Sequence, residues 1–249
     1  MMNELPIHYA ELESIYSQTI DCGVRSLAIT ACSSGEGTTT LACALAKRSQ
    51  AGGRKTLLVD MNFCHPSIGP ELGLNPCSWN NLDNLLEDQI SMVSNEDDGA
   101  AYLPKPLSAL GVLPAPSTPT GNLLLREKEY LARCMEAWLL EYEVVIVDTS
   151  PLNAINRHNL PAERICSQCE GTVLTVLAGV TRQAQLQSAM ERLKGHGIEL
   201  SGCVFNDRYS PTLAEELLRE TYRLQRWFPS LMSWLRGKIR QSALLNLST

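Results

Sequence analysis

The stretch Ser33-Ser34-Gly35-Glu36-Gly37-Thr38-Thr39-Thr40 has the residue types of a phosphate cradle. Small residues let consecutive backbone N–H groups converge on phosphate oxygens at the positive end of a helix. In a strict phosphate loop a lysine then reaches the β/γ-phosphates and a Ser/Thr hydroxyl binds Mg²⁺. Gly35 and Gly37 supply the tight backbone here, and Ser34, Glu36, Thr38 and Thr40 complete the cradle. Thr39 stands where the magnesium hydroxyl belongs. Cys32 replaces the first glycine of the strict pattern, and Thr38 replaces the lysine.

A glycine turn that merely caps a helix would share Gly35 and Gly37. Two acids weigh against that reading. The apolar runs "TLLVD" and "EVVIVD" end in Asp60 and Asp148. In a parallel sheet the C-terminal strand ends share one edge with the phosphate loop. Acids placed there can hold metal-bound water or orient a nucleophile, so Asp60 and Asp148 are the catalytic candidates. With Thr39 they are also the candidate Mg²⁺ ligands. The four histidines, His8, His65, His158 and His196, are scattered and read as surface or satisfied side chains.

The elements that must position these residues follow from the pattern of apolar runs. Unalternated runs recur at 26–30, 56–60, 110–115, 143–150, 172–178 and 200–206, as in parallel strands buried on both faces. Helical periodicity lies between them, at 38–51, about 122–140, about 158–168 and 181–195. The first twenty residues read as a helix, and the breaker-rich segment 91–109 as a surface loop. Alternating strand and helix predicts an α/β domain, a mostly parallel sheet flanked by helices. We divide the chain into a helical segment 1–24, a core domain 25–210 and C-terminal helices 211–249.

The 249 residues are 44% hydrophobic and carry a net charge of −6. Residues 219–249 hold six basic residues against one acid, Glu220, so an acidic body carries a basic tail. That balance argues against a general nucleic-acid coat, and no nucleic-acid partner is expected. Leu224, Trp227, Phe228, Leu231, Leu235 and Ile239 recur at helical spacing among Arg223, Arg226, Arg236, Lys238 and Arg240, with Pro229 starting a second helix. Such a helix can pack on its own domain or on a dimer mate, or lie in a membrane interface through 223–247. The polar N-terminus and the lack of a long apolar run predict a cytoplasmic protein, peripheral at the inner membrane if the tail docks there. Of the nine cysteines several, Cys32, Cys43 and Cys203, sit inside apolar strand or helix patterns and read as buried small hydrophobes, and the Cys166–Cys169 pair reads as structural, since no second C-x-x-C completes a zinc site.

From about residue 9 to residue 208 the chain resembles the bacterial tyrosine kinase (BY-kinase) branch of the MinD/ParA-type P-loop ATPases. "SSGEGTTT" is similar to that family's G-E-G-K-[ST]-T loop, "LLVDMNFCHPSIGPELGL" to its second acidic motif, and "VVIVDTSP" to its Walker B strand. The closing strand–helix–strand, ending at Asn206, looks like the part where an Asn contacts adenine, and the resemblance carries that role to Asn206. It implies ATP and Mg²⁺ as ligands and a homodimer across the nucleotide. It also implies tyrosine phosphorylation that regulates capsule or exopolysaccharide export, with an inner-membrane export or synthase component as partner.

The departures fall on chemistry-bearing positions. Thr38 replaces the lysine, Ser33 stands where the ParA/MinD branch keeps its signature lysine, and Asn62 replaces the second acid after Asp60. The helix around Glu11 has Ser14 and Ser17 where the family's ring-forming motif has arginines, and the last tyrosine is Tyr222, so a tyrosine-rich tail is missing. Losing a phosphate-stabilising charge typically costs ~10²–10³ in rate, while backbone N–H groups still bind. The ParA-like proteins of cellulose secretion resemble this loop, with G-T-T-T at the corresponding place. We expect a degenerate ATPase-like regulator of exopolysaccharide (capsule- or cellulose-type) synthesis or export, a pseudokinase with weak or no catalysis. The alternatives are an active kinase or ATPase completed by a partner, and a MinD/ParA-like positioning ATPase held at a membrane.

Overall fold

The structure is a computed structural model; it describes residues 5, 9–63, 65–75, 79, 90–93, 109–116, 125–154, 160–208, 217–218, 221–222, 225 and 229–241. It divides into two compact units, one comprising 1–177 and 181–206, the other 178–180 and 207–249.

In the larger unit seven strands form one sheet: β1 (Ser26–Ala31), β2 (Thr56–Met61), β3 (Ser91–Val93), β4 (Leu110–Leu113), β5 (Val144–Thr149), β6 (Gly171–Leu177) and β7 (Gly202–Asn206). Their order is β3-β4-β2-β5-β1-β6-β7. Every pairing is parallel except β3 with β4. The expected α/β class therefore holds. The loop expected over 91–109 is corrected at its start: residues 91–93 add an antiparallel edge strand, while 94–108 lie outside the described residues. A three-residue strand is too short to show a hydrophobic period, and Met92 is exposed.

β1, β2 and β5 are buried at every position, which is why they read as continuous apolar runs. The pleat sorts their side chains to opposite faces. Leu27, Ile29, Leu58 and Ile146 meet Leu41 and Leu45 of α2 (Thr38–Ala51) and Leu12 and Tyr16 of α1 (Ala10–Gln18). On the other face Leu57, Val59, Val145 and Val147 pack with Leu131, Met135 and Trp138 of α4 (Lys128–Glu141). Ala28 and Leu174 pack with α5 (Ala162–Cys166) and α6 (Gln183–Gly195). A short α3 (Ile68–Glu71) follows β2. α1 is fixed to α2 by the Arg48–Glu13 ion pair and by the Arg48 guanidinium 4.3 Å over the Tyr16 ring.

Expected helix 38–51 matches α2. The expectations over 1–20, 122–140 and 158–168 are met only at 10–18, 128–140 and 162–166; the residues before each of these three starts lie partly outside the described set. In the smaller unit α7 (Pro229–Gln241) begins at the proline, as expected. The Arg236 guanidinium sits 4.6 Å over the Tyr222 ring and donates to Gln225. Arg223, Leu224, Arg226, Trp227 and Phe228 lie outside the described residues. No helix of the described residues is long and apolar enough to cross a membrane.

Candidate functional site: a phosphate loop over two buried carboxylates

The loop between β1 and α2 turns on two glycines in the left-handed region, Gly35 at φ 84° and Gly37 at φ 96°. An L side chain is strained at either, so the sequence needs glycine there. Ser34 and Gly35 are exposed at the loop tip. Gly37 is the N-cap of α2 and provides no side-chain cap, so the first-turn N–H groups of Thr38, Thr39 and Thr40 are left for an anion.

Glu36 holds the loop in shape, and its side chain points inward. It is 3% exposed. Its Oε2 accepts the Cys32 N–H at 2.8 Å, and its Oε1 accepts the Thr181 hydroxyl at 2.6 Å. Asn206 donates from Nδ2 to the Glu36 carbonyl at 3.1 Å. That contact brings Nδ2 within 2.7 Å of where a Cβ on Gly37 would stand, a second reason for glycine. Ser33 accepts a hydrogen bond from Gln185 Nε2 at 3.0 Å, which ties the loop to the first turn of α6.

Beneath the loop, β2 and β5 pair with Asp60 directly opposite Asp148. Both carboxylates are buried. Thr39 donates its hydroxyl to Asp148 Oδ2 at 2.6 Å, and Ser67 donates to Thr39 at 3.3 Å. Asp60 accepts the backbone N–H of Asn62 at 3.0 Å and of Ile68 at 3.2 Å. Asn62 is buried too, and its side-chain oxygen accepts the Ser150 hydroxyl.

Burial pushes the Asp60 carboxyl up to about 6 against the opposing pull of the backbone N–H groups of Asn62, Ile68 and Ser67. Burial, with Asp60 next to it, raises Asp148 well above the usual carboxylate range; the Thr39 hydroxyl and, less, the Thr38 hydroxyl act against this. Thr38 is thus a buried neighbour of Asp148.

The chemistry of the site fits a divalent cation. Asp148 Oδ1 is buried with no hydrogen-bond partner, and none of Glu36, Asp60 and Asp148 pairs with a Lys, Arg or His among the described residues. Buried charge of this kind is tolerated when it is neutralised by protonation or by a metal. No group of three His, Cys, Asp or Glu able to hold a metal by itself is present among the described residues. Mg²⁺ does not require one, because it is usually held by one or two protein oxygens, waters and substrate phosphates. Thr39, Asp148 and Asp60 would supply those protein oxygens.

The structure therefore brings together every expected site residue on one sheet edge, Asn206 included. Thr181, Gln185 and Ser150 were not singled out in the sequence. Nothing in their spacing announces them, since each acts through a partner more than 80 residues away in the chain. Burial pushes the thiols of Cys32, Cys43, Cys134 and Cys166 up to about 12, which keeps these four unreactive. Cys203, expected to be buried, is exposed, because β7 is the edge strand of the sheet.

The sheet order and flanking helices give the chain the fold of the MinD-like P-loop NTPases. No family model matches the chain. It is related by sequence to bacterial tyrosine kinases. Tyrosine-protein kinase CpsD of Streptococcus agalactiae is 27% identical over 180 residues, 72% of this chain and 74% of the relative. Tyrosine-protein kinase YwqD of Bacillus subtilis is 28% identical over 190 residues, 76% and 75% of the two chains. Among solved structures, the chimerical protein CapA2B2 superposes with TM-score 0.65 at 24% identity, covering 83% of this chain and 90% of its own. The MinD protein of Pyrococcus horikoshii, complexed with Mg-ADP, gives TM-score 0.55 at 20% identity, covering 75% and 71%.

Proposed function

We propose that the protein is a nucleotide-binding regulator that takes ATP and Mg²⁺ on the Cys32–Thr40 loop, with phosphoryl transfer weak or lost. The carrying observation is the combination of an intact cradle with Thr38 buried beside Asp148 where the lysine would stand. Ser34, Gly35, Glu36, Gly37, Thr38, Thr39 and Thr40 surround the phosphates, Asn206 lies on the base side, and Thr39, Asp60 and Asp148 hold the metal. Backbone N–H groups and Mg²⁺ bind the anion, while the charge that develops during transfer lacks its cation.

The setting we favour is capsule- or cellulose-type exopolysaccharide synthesis or export. The chain would act as a homodimer with an inner-membrane component, and residues 223–247 would provide a membrane or partner contact. The resemblance to the bacterial tyrosine kinase branch, with relatives that are tyrosine-protein kinases, supports the setting. Titration calorimetry with ATP·Mg²⁺ tests the core of the reading: heat and a thermal shift at millimolar ATP are expected, and their absence refutes it.

The same relatives support a second reading, an active kinase or ATPase completed by a partner's cation. A turnover assay with the partner present, comparing wild type with Asp148→Ala, separates the two. Turnover that the substitution abolishes favours the second. The third expectation, a positioning ATPase, is separated by liposome flotation of the full chain against residues 1–222.

A further inference from the structure

Away from the phosphate loop, a cavity of about 470 Å³ is lined by Leu125, Arg126, Glu127, Lys128, Arg164 and His196, with Leu131 and Ser167. Its rim is cationic on a chain whose net charge is −6. Arg126, Lys128 and Arg164 stand against one lining carboxylate, Glu127. Two of the three cations lack an anionic partner: neither Lys128 nor Arg164 pairs with a carboxylate among the described residues. The guanidinium of Arg164 donates to the Arg126 carbonyl, which fixes its position without neutralising it. The nearby acid Glu163 is already taken by Arg192 at 2.6 Å.

The backbone contributes both signs: the C-terminal ends of α5 at Ser167 and of α6 at His196 are negative, and the start of α4 is positive, with Glu129 in its first turn. The N-cap of α4 is Glu127, whose side chain makes no capping bond, so the positive end of a 14-residue helix opens at the rim. His196 Nδ1 is 3.0 Å from the Arg192 carbonyl, which only accepts, so the ring proton sits on Nδ1 and the ring is held in place. The Ser167 hydroxyl donates to the Arg164 carbonyl.

We propose that this cavity between α4, α5 and the end of α6 is a second anion site, built for a phosphate group on a small ligand. Its volume lies within the ~300–1,000 Å³ range of small-molecule sites. Paired, unneutralised Arg and Lys with a helix N-terminus are the groups that hold phosphate oxygens. The site is separate from the phosphate loop and needs no Mg²⁺ from it.

The probes are pyrophosphate in the presence of a chelator, and vesicles of phosphatidylglycerol, to tell a soluble phosphate compound from a lipid headgroup. Wild type should bind one of them. The double variant Lys128→Ala/Arg164→Ala should bind it roughly tenfold or more weakly, the effect of losing charge-assisted hydrogen bonds. Both side chains are exposed, so the variant should keep its melting temperature and its response to ATP·Mg²⁺. Pyrophosphate binding assigns a soluble ligand, and binding to vesicles alone assigns a headgroup. Binding that the double variant retains, or no binding of either probe to wild type, overturns the proposal. Loss of the ATP·Mg²⁺ response in wild type would instead count against the phosphate-loop reading and leave this test intact.

Discussion

Thr39 Oγ1 lies 2.6 Å from Asp148 Oδ2, so the first turn of α2 is tied directly to the end of β5. The other oxygen of Asp148 is buried and unpartnered. A charge with this environment is costly in the empty protein and useful only when a cation arrives. Asp148→Asn should therefore act in opposite directions on stability and on binding. The raised carboxyl is relieved, so the unliganded protein should melt higher at neutral pH. ATP·Mg²⁺ affinity should fall by ~10–100-fold, as for loss of a metal-orienting group. Paired melting and calorimetry measure both; a variant that loses stability and keeps affinity contradicts the assignment.

Asp60 gives a pH dependence with a definite sign. Its folded carboxyl is raised to about 6, above its ordinary 3.8. Between those values the folded protein holds a proton that the unfolded chain releases, so this group's contribution to stability falls as pH rises from about 4 to 6. The size is on the order of 1–3 kcal/mol. Urea denaturation across that range should show a negative slope for wild type and a flatter one for Asp60→Asn. Mg²⁺ needs the ionised form, so metal-dependent nucleotide binding should strengthen over the same interval.

Gly37 carries two demands at once, a positive φ and a space that Asn206 closes. Gly37→Ala should cost about 1–3 kcal/mol and weaken ATP binding. In an Asn206→Ala background the steric part disappears and the φ strain stays, so part of the loss should return. Additive losses in the double variant would show that the contact does not matter.

Thr38→Lys tests what the loop has lost. If the cradle is intact, the restored charge should raise any ATPase rate by ~10²–10³. Rates measured with and without Mg²⁺ check it. A variant that binds ATP·Mg²⁺ and gains no rate would locate the defect elsewhere, with Asn62 the next position to change.

Much of this arrangement was legible in the sequence because the buried strands carry their signal in unbroken apolar runs. Asp60 and Asp148 were readable for the same reason, as acids where such runs reach their C-terminal ends. The edge strand Ser91–Val93 was not, because three half-exposed residues are too few to show a period. The roles of Thr181 and Gln185 were not readable either. Their partners, Glu36 and Ser33, are brought within reach only when β6 pairs with β1.

Glu36 carries a consequence for the order in which the molecule is built. Its carboxylate reaches a hydroxyl 145 residues later in the chain, and its carbonyl an amide 170 residues later. Contacts of that sequence separation form only after long loops have closed. The cradle thus cannot take its final shape on a nascent chain that has yet to deliver β6 and β7. Any anion-binding activity in this loop should appear last in refolding, after the strands beneath it are already paired.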